Sequence, residues 1–217
     1  ENPFPFENAL HLVMPKTTTR YSVRGERQFG EIAKMLSESI QRIPGNVAVF
    51  FPSYQLRDQI AQFMQTDRHL YFEKKGMDKY QKHQFVESFK KDTRGILLGV
   101  AMGSFGEGVD FIGDALKGVI IVGLPLAKPD VETKELINYY DKKFERGWEY
   151  GYIFPAFTTT FQNAGRCIRS ETDKGIIIYL DERYLWSQYR RCFHPDMNIK
   201  VSEHPEEIEE FFASKYL

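Results

Sequence analysis

The chain has 217 residues, 42% of them hydrophobic, and a formal net charge of −1. That suffices for one large domain or two small ones with a real core. It excludes a uniformly basic nucleic-acid binder, so any contact with nucleic acid must be local. The two cysteines, Cys167 and Cys192, and the five scattered histidines make no CxxC pair and no metal-ligand spacing. No metal site is expected in this chain. No apolar run is long enough to span a bilayer and no signal peptide stands at the start, so no membrane partner is expected. A reduced cytoplasmic setting fits, or a nuclear one in a eukaryote. The opening ENPFPFENAL lacks a Met and reads as an excised piece of a longer protein.

In chain order, Ala9–Met14 reads as a first strand, and Gly25–Ile43 carries Phe29, Ile32, Leu36, Ile40 and Ile43 at helical spacing. Asn46–Phe51 is a buried-strand run. Pro52 and Ser53 follow it, with Ser53 able to cap a helix over YQLRDQIAQFM. HLYFEK is a short strand and KYQKHQFVESFKK a helix with a charged outer face. RGILLGVA, KGVIIVGL and GIIIYLD are continuous apolar strands, and EHPEEIEEFFASKYL closes the chain as a helix. The longest interval between strands, 125–160, is dense in aromatics and glycine. It reads as helix plus an irregular, partly exposed loop. Strands alternating with helices, the strands apolar throughout, predict an α/β fold: a mostly parallel sheet with helices on both faces, spanning 1–217 as one domain. Ligands of such sheets bind at the carboxyl ends of strands. The loops after Phe51, Ala101, Leu124 and Leu180 are therefore the ones to inspect.

After ILLGVA comes MGSFGEGVDF, with Gly103, Gly106 and Gly108. Glycines let backbone approach a ligand closely, and successive amides can cradle a phosphate. Asp110 could accept from a ribose or DNA hydroxyl. Alone, this loop reads first as a tight strand-to-helix turn, and its order is not GxGxxG. Ser53 alone reads as a cap and Tyr54 as a packed aromatic. Asp181 and Arg183, at the end of GIIIYL, read either as a surface pair of small value, ~0–1 kcal/mol, or as a hold on a nucleic-acid backbone.

FQNAGRCIRS, 161–170, placed on a helix, puts Gln162, Arg166 and Arg169 within one arc and Phe161, Ala164 and Ile168 on the opposite side. An amphipathic helix with solvated arginines is the plain reading. It leaves Gly165 unexplained, since glycine costs ~1 kcal/mol in a helix relative to alanine. Arginine supplies a planar fork for phosphate and serves as a finger on a transferring γ-phosphoryl group.

These segments, in this order, resemble the second motor domain of superfamily 2 helicases, and closely the XPD/DinG family of iron–sulfur DNA helicases. VAVFFPSY resembles motif IV, GSFGEGVDF motif V, and QNAGRCIR motif VI. YLDERY is similar to the Asp-x-Arg-aromatic segment that follows motif VI, and NPFPFEN to the stretch that enters the domain. The resemblance covers nearly the whole chain and implies a RecA-like fold. It implies that Arg166 and Arg169 are arginine fingers, and that Gln162, Glu107, Gly108 and Asp110 lie near ATP. It also implies that Ser53, Tyr54, Gly103 and Ser104 contact a single DNA strand. Trp148, flanked by glycines and charges in ERGWEYGY, is a further candidate for base stacking, with packing under the loop an equal alternative. Arg183 is the expected phosphate contact, with Asp181 orienting it.

The chain has no GxxxxGK[ST], no DEAH-type box, and too few cysteines for a four-cysteine cluster. In the family these belong to the first motor domain. The resemblance therefore implies ATP and Mg²⁺ shared with an N-terminal motor domain of the same protein, and an iron–sulfur cluster in the parent but not here. It also implies 5′→3′ translocation on single-stranded DNA, a DNA-repair role such as nucleotide excision repair, and work alone or within a repair or transcription-factor assembly. The isolated chain should not hydrolyse ATP. Two rival readings stand beside it: a non-catalytic α/β module whose arginines hold a partner's anion, and an RNA-directed superfamily 2 translocase. QNAGRCIR argues against the second, because RNA-directed relatives open this motif with His-Arg.

Overall fold

The computed structural model describes residues 8–105, 116–126, 130–168 and 173–214. Seven strands form one sheet: β1 (Ala9–Met14), β2 (Val47–Phe51), β3 (Leu70–Phe72), β4 (Ile96–Val100), β5 (Gly118–Val122), β6 (Gly175–Leu180) and β7 (Ile199–Val201). Their order is β3-β4-β2-β5-β6-β1-β7, and every pairing is parallel. The continuous apolar runs are explained by burial on both faces. Along β2, Val47, Val49 and Phe51 enter one core with Leu12, Met14, Leu98, Ile120 and Ile178. Ala48 and Phe50 enter the other with Val13, Leu97, Val119, Ile121 and Tyr179. Each fully buried aliphatic side chain contributes ~1.5–3 kcal/mol.

Helices cover both faces. α1 (Glu26–Arg42) buries Phe29, Ile32, Leu36 and Ile40, the stripe expected from its spacing, against the first core together with α2 (Tyr54–Ala61) and α7 (Glu206–Ala213). α3 (Lys79–Lys91) and α5 (Phe154–Ala164) cover the second through Val86, Phe89, Phe157 and Ala164. β7, three residues long with Lys200 and Val201 exposed, is too short to announce itself. It takes its place by pairing with β1.

The interval 125–160 holds the expected helix, α4 (Val131–Phe144), but where an irregular loop was expected a π-helical turn over Glu149–Ile153 runs directly into α5. α4 ends on Glu145, which adopts the left-handed conformation. α4 buries no residue fully. It is held through ring contacts such as Tyr140–Tyr150 and Phe144–Tyr150, with centroids 5.6 and 5.4 Å apart. The aromatic density of this segment is helix-on-helix packing.

Candidate nucleotide and nucleic-acid interface

Because all strands point the same way, their carboxyl ends form one edge, and two buried polar knots organise it. The first centres on Glu73, immediately after β3 and fully buried. Its carboxylate accepts from the Tyr54 hydroxyl at 3.0 Å, the Val100 amide at 2.8 Å and the Ser104 amide. Burial and the neighbouring Glu73 carboxylate push the Tyr54 phenol up to about 12. Gly103 lies against the same carboxylate, and a Cβ there would fall within 2.9 Å of all three carboxylate atoms. The Arg57 guanidinium, itself buried, donates to the Glu73 and Leu98 carbonyls and closes the knot from α2. Ser53 caps α2, its hydroxyl accepting from the Leu56 amide at 3.2 Å, and remains exposed. Ser53, Tyr54, Gly103 and Ser104 are thus brought together, around a glutamate that the sequence reading passed over. A charged residue at the end of a short strand, opposite a glycine loop, was the available signal.

The second knot corrects an expectation. Asp181 is fully buried and Arg183 is 8% exposed. The Arg183 Nε and Nη2 donate to Asp181 at 2.8 Å each, and Nη2 donates to the Thr19 hydroxyl at 2.7 Å. Asp181 also accepts from the Thr19 and Arg183 amides at 2.8 and 3.0 Å and from the Thr18 hydroxyl. Neither residue is a surface pair or an open phosphate contact. Together they lock the end of β6 to the segment after β1. Hydrogen bonding to Asp181 holds the guanidinium charged against the desolvation of burial. Gly123, at the end of β5 with φ +70°, fits beneath Thr19, where a Cβ would collide with the threonine side chain.

The third correction concerns the arginine helix. α5 ends at Ala164 and is capped by Gly165 in an ordinary right-handed conformation, its amide donating to the Phe161 carbonyl at 2.8 Å. Gly165 thus stands at the C-cap and not inside the helix. Gln162 is exposed, while Arg166 lies beyond the helix and is 6% exposed. The two do not share a helical arc. Arg169, with Glu107, Gly108 and Asp110, falls outside the described residues. Asn163, fully buried, donates from Nδ2 to the Ala101 carbonyl at 3.1 Å. That bond ties the end of α5 to the loop after β4.

Trp148 is 48% exposed, with its ring 4.4 Å from that of Tyr152. Tyr152 lines a cleft of about 170 Å³ with Met102, Pro125, Leu136 and Thr159. Both cysteines are free thiols. Among the described residues no helix is long and apolar enough to cross a membrane.

A parallel sheet of seven strands, helices on both faces and a carboxyl edge built from the loops after β2, β4 and β6 define a RecA-like α/β domain. Residues 36–198 match the family model for the helicase C-terminal domain, and the chain belongs to that family, in its XPD/DinG branch of superfamily 2. The ATP-dependent DNA helicase YoaA of Haemophilus influenzae is 33% identical over 194 residues, covering 88% of this chain and 29% of that protein. The 3′-5′ exonuclease DinG of Bacillus subtilis is 28% identical over 201 residues, covering 89% and 21%. The ATP-dependent DNA helicase XPD of Sulfolobus acidocaldarius is 24% identical over 184 residues, covering 82% and 32%. The chain thus spans only 21–32% of the length of these relatives. Among solved structures, an apo XPD superposes with a TM-score of 0.73 at 23% identity, covering 90% of this chain and 40% of that one. The C-terminal domain of the DEAD-box protein Dbp5 follows at 0.57 and 13%, covering 95% and 97%. At these identities both speak for the fold alone.

Proposed function

We propose that the chain is the second motor domain of an ATP-dependent DNA helicase, closing over ATP held on a first motor domain while gripping one DNA strand along its own carboxyl edge. The observation that carries this reading is the coupling of three segments. The loops after β2 and β4 share Glu73, and the loop after β4 is tied through Asn163 to the segment bearing Arg166. A change at the arginine segment therefore moves the strand-gripping loops, as a motor requires.

ATP, when bound with Mg²⁺, supplies the phosphoryl group whose transfer drives the cycle. The groups this chain directs to it are Arg166 and Arg169 as fingers, with Gln162, Glu107, Gly108 and Asp110 beside the nucleotide. Such donors fit phosphates that are cradled elsewhere. Domain closure brings guanidinium charge to the transition state, and opening withdraws it. Arg166, buried in this chain, must be released to reach across. Ser53, Tyr54, Gly103 and Ser104 offer backbone and hydroxyl contacts that carry little sequence information. Trp148 beside Tyr152 offers a stacking platform. An iron–sulfur cluster does not fit here: Cys167 is buried, its thiol donating to the Ile176 carbonyl and pushed up to about 12 by desolvation. In the parent, cysteines outside this chain would hold it. Travel in the 5′→3′ direction and a role in DNA repair, alone or within a repair or transcription-factor assembly, complete the proposal.

ATP hydrolysis by the full-length parent, with and without single-stranded DNA, tests it. Arg169→Ala should cost ~10³–10⁵ in DNA-stimulated turnover while ATP binding persists. Normal turnover in that variant would make the segment a structural or partner-binding face.

A further inference from the structure

The carboxyl edge carries one surface that none of the motifs accounts for. After the buried run Thr17–Thr19, the chain turns outward into a single 3-10 turn, Tyr21–Val23, that buries none of its residues. Tyr21 is 87% exposed. Past the Asp181–Arg183 knot, Trp186 is 39% exposed, its ring stacked on Tyr189 at 6.0 Å, and Arg20, next to Tyr21 in the chain, reaches it. Guanidinium groups interleave with these rings: Arg20 lies 5.7 Å from the Trp186 ring and Arg24 5.7 Å from the Tyr21 ring.

The local charge is basic although the chain as a whole carries −1. Outside the closed knot, stretches 20–24 and 182–191 bring Arg20, Arg24, Arg190 and Arg191 against Glu182 alone. Arg191 is paired with Glu149 at 2.9 Å. Arg20 sits 3.0 Å from Glu182, yet neither its Nε nor the facing carboxylate oxygen makes a directed hydrogen bond. Glu182 thus neutralises part of the Arg20 charge, and the rest of the guanidinium lies against the Trp186 ring. Exposed ring faces with an arginine against each are the arrangement that stacks bases and neutralises the backbone of a single strand. The patch follows β1 and β6, on the same edge as Ser53 and Gly103. At ~4.8 Å per strand it begins about 10 Å from β2.

We propose that Tyr21 and Trp186, with Arg24 and Arg20 against their respective rings, form a second stacking subsite for single-stranded DNA, extending the track that starts at Ser53 and Gly103. The inference rests on the motor-domain reading and names where the strand runs. Trp148 and Trp186 are the chain's two tryptophans, so a Trp148→Phe background makes Trp186 the sole indole reporter. Oligothymidylate at low salt should quench its emission. In the unaltered chain, Trp186→Ala or Tyr21→Ala should weaken binding of the labelled oligomer by about tenfold, and Tyr21→Ala, at a ring 87% exposed, should do so with an unchanged urea midpoint. Arg20→Gln should lower the salt slope by roughly 0.7.

Unquenched Trp186 emission, with parental affinity in Trp186→Ala and loss of binding in Gly103→Ala, would overturn this subsite and leave the motor-domain reading standing. No binding by the unaltered chain would overturn both. Stronger quenching by oligouridylate than by oligothymidylate would overturn the assignment to DNA.

Discussion

Arg183→Ala tests whether the second knot is structural. In the protein Asp181 is fully buried and receives two charge-assisted bonds at 2.8 Å from Arg183. Deleting the guanidinium leaves a buried carboxylate whose remaining donors are the Thr18 and Thr19 hydroxyls and two amides. Breaking a buried pair from one side costs about 3–5 kcal/mol, a third or more of a typical domain's ~5–15 kcal/mol. With a urea m-value of ~2 kcal/mol/M, the unfolding midpoint should fall by about 1.5–2.5 M at unchanged m. Asp181→Ala/Arg183→Ala should cost less than the two single changes summed, because the double variant leaves no orphaned charge. Arg183→Lys should fall between, since a point charge cannot reproduce the two-pronged bond. An Arg183→Ala midpoint equal to that of the unaltered chain, with weakened binding of oligothymidylate, would refute this reasoning and restore Arg183 as a phosphate contact.

Glu73→Gln keeps the shape of the first knot but offers one acceptor oxygen to three donors. It should cost about 2–3 kcal/mol in urea unfolding and weaken oligothymidylate binding at Ser53 and Ser104. Retained stability would show that the knot contributes little. Gly123→Ala meets both a positive φ and the Thr19 side chain and should cost about 1–3 kcal/mol, read as a lowered melting temperature. His11 gives the acid limb. Burial pushes its imidazole from 6.5 down to about 4, so between these values the unfolded chain binds the proton that the folded chain refuses. Stability is then full above pH 6.5 and falls by about 1.4 kcal/mol per unit as pH drops toward 4. Urea midpoints across that range should flatten in His11→Phe, and equal slopes in both proteins would refute the shift.

Much of the fold is legible because its signals are local. Continuous apolar strands can satisfy burial only between two helical layers, and the 3-4-4 spacing of Phe29, Ile32, Leu36 and Ile40 needs a core beneath it. The misses share another cause. FQNAGRCIRS read as one helix because periodicity carries no stop signal of its own. Gly165, a cost inside a helix, stands at its C-cap instead, and Arg166 beyond it is buried while Gln162 is exposed. Asp181 and Arg183 are two residues apart in a polar-looking turn, and their burial depends on Thr18 and Thr19, more than 160 residues earlier in the chain. Glu73 likewise becomes central only when parallel pairing sets the end of β3 beside the loop after β4.

These misses bear on how the edge works. Each knot crosses between neighbouring strands of the sheet, β3 with β4 and β6 with β1, so neither loop group can shift without breaking charge-assisted bonds. Asn163 adds a connection from α5 to the loop after β4. A domain that moved stepwise along a strand would need the loops on this edge to move as one body. Asn163→Ala, which removes the side-chain amide that reaches Ala101 while leaving every proposed DNA contact in place, should therefore uncouple the two halves. In the parent protein, DNA should still bind but stimulate ATP turnover less. A turnover that remains fully DNA-stimulated in that variant would mean the coupling runs by another route.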